Sequence, residues 1–61
     1  MLKWWELECG QKLYNVLDGS DGSIVREYIV RYKFKNYVIV ECDDEYFQID
    51  NNTSYLFKLI S

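Results

Sequence analysis

The side chains able to do chemistry are few, and their spacing narrows what that chemistry can be. Among the 61 residues there is no histidine, and the only thiols are Cys9 and Cys42. General acid–base catalysis near neutral pH most often relies on histidine. A nucleophilic cysteine needs a base or a cation beside it to form thiolate. Cys42 instead stands next to Glu41, Asp43 and Asp44, whose charges oppose ionisation. Asp43 and Asp44 are adjacent carboxylates, but neighbours in a tight turn splay apart into water and lack a cleft to shift them. The expectation is a protein that is not an enzyme.

Metal and cofactor readings fail on spacing too. Two distant cysteines without histidine cannot complete the usual four-ligand zinc set. Asp18-Gly19-Ser20-Asp21-Gly22-Ser23 invites a calcium reading. Counted from Asp18, however, the alternate positions are Ser20 and Gly22, so the oxygen-ligand pattern of a calcium loop is missing. The segment reads as an ordinary turn, with glycines that accept positive φ. No cofactor is expected.

The charge is unevenly laid out. The net charge is −3 with a pI near 4.7, against the cationic surplus that proteins holding phosphate backbones use. Arg26, Arg31, Lys33 and Lys35 meet only Glu27 in segment 26–35, whereas Glu41, Asp43, Asp44, Glu45 and Asp50 have no cation among them in 41–50. Such a dipolar chain suits the steering of an oriented partner. The opening Met1-Leu2-Lys3-Trp4-Trp5-Glu6 brings charge early and has no apolar signal core, and no run approaches a membrane span. A cytoplasmic setting with free, buried thiols is therefore expected, and the sequons at Asn51 and Asn52 carry no weight there.

These residues must be positioned by strands. A chain of 61 residues allows one domain, 1–61, with a thin stability margin. Proline is absent, so nothing interrupts a strand. Trp5-Glu6-Leu7-Glu8-Cys9 alternates apolar and acidic, as a half-buried strand does. That parity puts Trp5, Leu7 and Cys9 in the core and Trp4 outside. Leu13 to Leu17 fits a short strand or one helical turn, and the strand is preferred because one turn cannot stand alone.

The segment from Ile24 to Ile49 sets the register. A two-residue turn after Phe34 would set Val38 against Lys33 and bury charge. A three-residue loop, Phe34-Lys35-Asn36, gives inner rows Tyr32–Val38, Val30–Val40 and Tyr28–Cys42, with Asn36 at a left-handed position. A two-residue turn at Asp43-Asp44 then pairs Cys42 with Glu45, Val40 with Phe47 and Val38 with Ile49. Tyr55 to Ile60 is apolar on both sides except Lys58, as for a covered or barrel-closing strand. The expected fold is all-β, a small antiparallel meander of four or five strands forming a curled sheet or an SH3-like barrel. The SH3-like comparison is one of strand number and size, and architecture does not give function.

The same register predicts the opposite face: Lys33–Tyr37–Asp50, Arg31–Ile39–Gln48 and Ile29–Glu41–Tyr46. Ile29, Tyr37, Ile39 and Tyr46 make an apolar centre with a charged rim, the anatomy of an interface. Trp4, and the acidic tip Asp43, Asp44 and Glu45, are expected to add to it. Aromatic residues make up 18% of the chain, more than so small an interior can hold. The reading that follows is a binding protein acting stoichiometrically on a protein target. An inhibitor or adaptor of the kind viruses and mobile elements encode fits that size and acidity, and self-association into a homo-oligomer is expected. The alternatives are a nucleic-acid-binding barrel that uses Arg31, Lys33 and Lys35, or a domain that only self-assembles.

Overall fold

Alternating apolar residues and tight turns give the all-β architecture expected. The computed structural model describes residues 2–17 and 26–60; the Asp18–Ser23 turn and Ile24 lie outside them. Five antiparallel strands form one sheet: β1 (Lys12–Asn15), β2 (Tyr28–Lys33), β3 (Val38–Cys42), β4 (Glu45–Ile49) and β5 (Phe57–Leu59). The order across the sheet is β4-β3-β2-β1-β5. Among the described residues no ladder joins β4 to β5, so the sheet is curled and unclosed.

The inner face carries the core. Tyr28, Val30, Val38, Val40, Cys42 and Ile49 are all buried, as their parity requires. The ring of Tyr28 meets Phe47 and Phe57 edge-on, with centroids 5.4 and 5.3 Å away. Phe47 and Phe57 belong to opposite edges of the sheet. Their common contact on a central strand therefore measures how far the sheet curls.

Two 3₁₀ turns cover this face: Trp4–Glu6 near the N-terminus, and Ser54–Leu56 between β4 and β5. Trp4 and Leu7 join the core, and the Trp4 indole N–H donates to Asn51 Oδ1 at 2.7 Å. This corrects the expected strand over Trp5–Cys9. Side chains three residues apart eclipse in a 3₁₀ turn, so Trp4 and Leu7 share a side. Trp4 is consequently 7% exposed and Trp5 52%, the reverse of the strand parity. Cys9 also turns outward, and neither cysteine is in a disulfide.

A second correction concerns β2 and β3. Ile29 pairs with Glu41 and Val30 with Val40 as expected, but a bulge after Val30 shifts the register. Tyr32 then pairs with Ile39 and Lys33 with Val38. The loop is Lys35-Asn36, closed by Phe34 N–H to the Tyr37 carbonyl at 2.9 Å, and the expected rows Tyr32–Val38 and Lys33–Tyr37 do not form. The charge burial feared for this register is avoided. Lys33 is exposed at the end of the strand, and its ammonium lies 3.7 Å from the Glu8 carboxylate.

The β3–β4 register is as expected throughout, from Cys42–Glu45 to Val38–Ile49. Positive φ falls on Asp43 (52°) and Asp44 (67°), the pattern of a type I′ turn, and not on Asn36. The final segment departs from expectation. Tyr55 lies in the 3₁₀ turn, and β5 is an edge strand with Lys58, Leu59 and Ile60 exposed.

Candidate protein-docking face

The face opposite the core is built by β2, β3 and β4, and the bulge decides its composition. Arg31 is the extra residue. Its insertion sends Tyr32 outward beside Ile39, where an unbulged ladder would turn it inward. Phe34 follows Tyr32 by two positions and shares its side. Its ring lies 4.9 Å from that of Tyr37 across the turn, in a tilted stack. Tyr32 reaches diagonally over β3 to Tyr46, with centroids 6.5 Å apart.

The result is two ring pairs exposed on one face. Tyr32, Phe34 and Tyr46 are 53%, 49% and 58% exposed. Tyr37 and Ile39 lie among them, and Ile29 lies further along β2 in the row with Tyr46, all three half-buried. The row Ile29–Glu41–Tyr46 is as expected, while the middle row is Tyr32–Ile39–Gln48 in place of Arg31–Ile39–Gln48. Sequence reasoning placed Ile29, Tyr37, Ile39 and Tyr46 on this side and missed Tyr32 and Phe34. The signal available for them was the rejected two-residue turn, which puts Phe34 opposite Tyr37.

Trp4 is not part of this face. It is buried on the other side, bonded to Asn51, so its assignment to a binding surface is corrected.

Charges border the aromatics unevenly. Arg31 Nε donates to Glu41 Oε1 at 2.7 Å, a charge-assisted bond with the carboxylate half-buried. Lys12 lies 3.9 Å from Glu27. With Lys33 held near Glu8, two of the three cations proposed for nucleic acid are engaged by carboxylates. Lys35 stands apart at the turn, so Arg31, Lys33 and Lys35 do not form a common basic track. A shallow depression lined by Ile29, Arg31, Glu41 and Asp43, among others, joins the face to the acidic hairpin tip.

At the tip, Asp43, Asp44 and Glu45 are exposed and form no ion pair within 4 Å among the described residues. At the other end of β4, the Asp50 carboxyl is held below its ordinary value of 3.8 by the Gln48 side-chain amide, helped by the Asn52 N–H and by Thr53. The Asp50 charge is thus fixed in place by its own turn. Among the described residues no three metal-ligating side chains cluster, and no helix is long and apolar enough to cross a membrane.

No family model, no curated protein and no solved structure matches this chain.

Proposed function

We propose that the chain is a small, non-catalytic binding protein that acts stoichiometrically on a protein target through the outer face of β2, β3 and β4. The bulge at Arg31 carries this reading. A ladder without it would bury Tyr32; with it, Tyr32 and Phe34 join Tyr46 in water around Ile39. Exposing large rings together is unfavourable unless something covers them. Bulges are features that re-aim side chains, and this one re-aims them outward. Tyrosine-rich patches with a charged rim have the composition of interface centres.

Nucleic acid is the weaker reading. Aromatic rings on a sheet can stack bases, but the net charge is −3 and two of the three candidate cations, Arg31 and Lys33, are engaged by Glu41 and Glu8. Backbone recognition needs unneutralised cations.

Ile39→Arg tests the proposal. Ile39 points away from the core, so the variant is expected to keep its melting temperature within a few degrees. It should no longer capture a protein partner from nuclease-treated lysate of the source cells. Loss of folding would make Ile39 a core residue, and unchanged capture would place docking elsewhere.

A further inference from the structure

We infer that the segment filling the aromatic face is cationic: an apolar-centred stretch of a partner protein, flanked by arginine or lysine. This rests on the docking reading above and adds the chemistry of the occupant. The argument is charge complementarity. Within the sheet, Arg31 is matched by Glu41, Lys12 by Glu27 and Lys33 by Glu8. Among the described residues, the charges left without an ion pair at the border of the face are carboxylates: Asp43 and Asp44 at one end of β4, and Asp50 at the other, while Glu45, opposite Cys42, has the parity of the inner face. The exposed cations along this border are Lys35, at the Lys35-Asn36 turn, and Arg26, which lines one depression with Asp43 and so offsets part of the charge at the tip. A partner entering over Tyr46 and Ile39 meets negative charge at both ends of β4.

The hairpin tip strengthens the argument. Both turn residues sit at left-handed φ, where Asn-Gly is the favoured pair, yet this turn carries two carboxylates. The turn needs only the backbone geometry; the charge is extra to it. Rim charges of one sign steer an oppositely charged partner and discriminate against others.

A second copy of the chain fits less well. A two-fold contact sets the same patch against itself, so the acidic border would meet its own sign with only Lys35 and Arg26 to relieve it. Each copy also carries a net charge of −3.

The test is an NMR titration of the full chain with two short synthetic peptides. In one, arginine alternates with leucine and tryptophan; in the other, glutamate replaces arginine. The basic peptide is expected to shift the amides of Ile39, Glu41 and Tyr46 and of the tip, and the acidic peptide to shift none. Asp43→Asn with Asp44→Gly keeps the turn and removes both charges. It should weaken the basic peptide by roughly tenfold at low salt, with less difference at high salt. Equal binding of both peptides, binding of neither, or shifts confined to β5 would overturn the inference. An Ile39-dependent dimer in light scattering would overturn it by making the occupant a second copy. A single-stranded oligonucleotide that shifts the same amides would overturn it in favour of nucleic acid. The docking reading is judged separately: it survives the loss of peptide binding if Ile39→Arg still abolishes capture of a protein, and falls if that variant captures normally.

Discussion

Asp43 and Asp44 show how much a single pair of residues can reveal. The type I′ turn of this hairpin places both in left-handed backbone, which costs an L-residue roughly 1–2 kcal/mol; aspartate lessens that by bonding locally. Asparagine and glycine fill these positions more cheaply. Asp43→Asn with Asp44→Gly is therefore expected to stabilise the fold by about 1 kcal/mol, partly offset by the entropy that glycine adds to the unfolded chain. In a domain of this size that raises the melting temperature by about 4–8 °C. Thermal denaturation followed by circular dichroism measures it. A lower melting temperature would mean that the carboxylates contribute to stability, for instance through the Cys42 thiol, which lies 3.8 Å from Asp43 Oδ2. This turn was legible in the sequence because the alternation on both strands agreed with it. The N-terminal tryptophans were not. Trp5-Glu6-Leu7-Glu8-Cys9 satisfies a period of two, while Trp4 and Leu7 satisfy the period of three that the chain adopts. A five-residue window cannot choose between them; the Asn51 acceptor waiting for the Trp4 indole does.

At the level of the strand pair, two local preferences conflict and the bulge reconciles them. Inward Tyr28 and Val30 must face Cys42 and Val40, which fixes one register at the open end of the β2–β3 hairpin. The tight Lys35-Asn36 turn fixes another, one residue out of step, at the closed end. Arg31 absorbs the difference, and its guanidinium is tied across to Glu41. Hydrophobic pattern alone cannot show this, because strict alternation implies a single register along the whole hairpin. Hence the inner row Val30–Val40 and the outer row Ile29–Glu41 were legible from sequence, and Tyr32 was assigned to the wrong side. Alanine substitution separates the two registers. Tyr28→Ala removes a buried ring that touches Phe47 and Phe57 and should cost about 3–5 kcal/mol. Tyr32→Ala removes a ring that is half in water and should cost less than about 1 kcal/mol. Chemical denaturation of both variants gives the comparison. Similar large losses would restore Tyr32 to the core and remove the bulge.

Across the whole molecule, the inner face is closed by two segments far apart in sequence, and Trp4 ties them together. Its ring joins a core cluster with Leu7, Leu13, Ile49 and Phe57, and its N–H bonds Asn51 ahead of the second 3₁₀ turn. The cluster takes residues from every strand, Ile49 being the contribution of β4, and half-buried Phe47, Leu2 and Leu56 pack against it. With one cluster and so little interior, neither turn can lift without opening the core to water, and the sheet alone would expose Val30, Val38 and Val40. Unfolding is therefore expected to be a single cooperative event. A Trp5→Phe variant tests this, because Trp5 is half in water and its replacement leaves Trp4 as the sole indole. Trp4 fluorescence then reports the N-terminal closure, and far-ultraviolet circular dichroism reports the sheet. Their denaturation curves should coincide. Trp4→Ala should destabilise by about 3–5 kcal/mol, a large share of what a domain this small can hold. If Trp4 became exposed before the sheet melted, the N-terminal turn would be a separate, weakly held cover over the inner face. The Trp4–Asn51 bond would then join two parts that unfold independently.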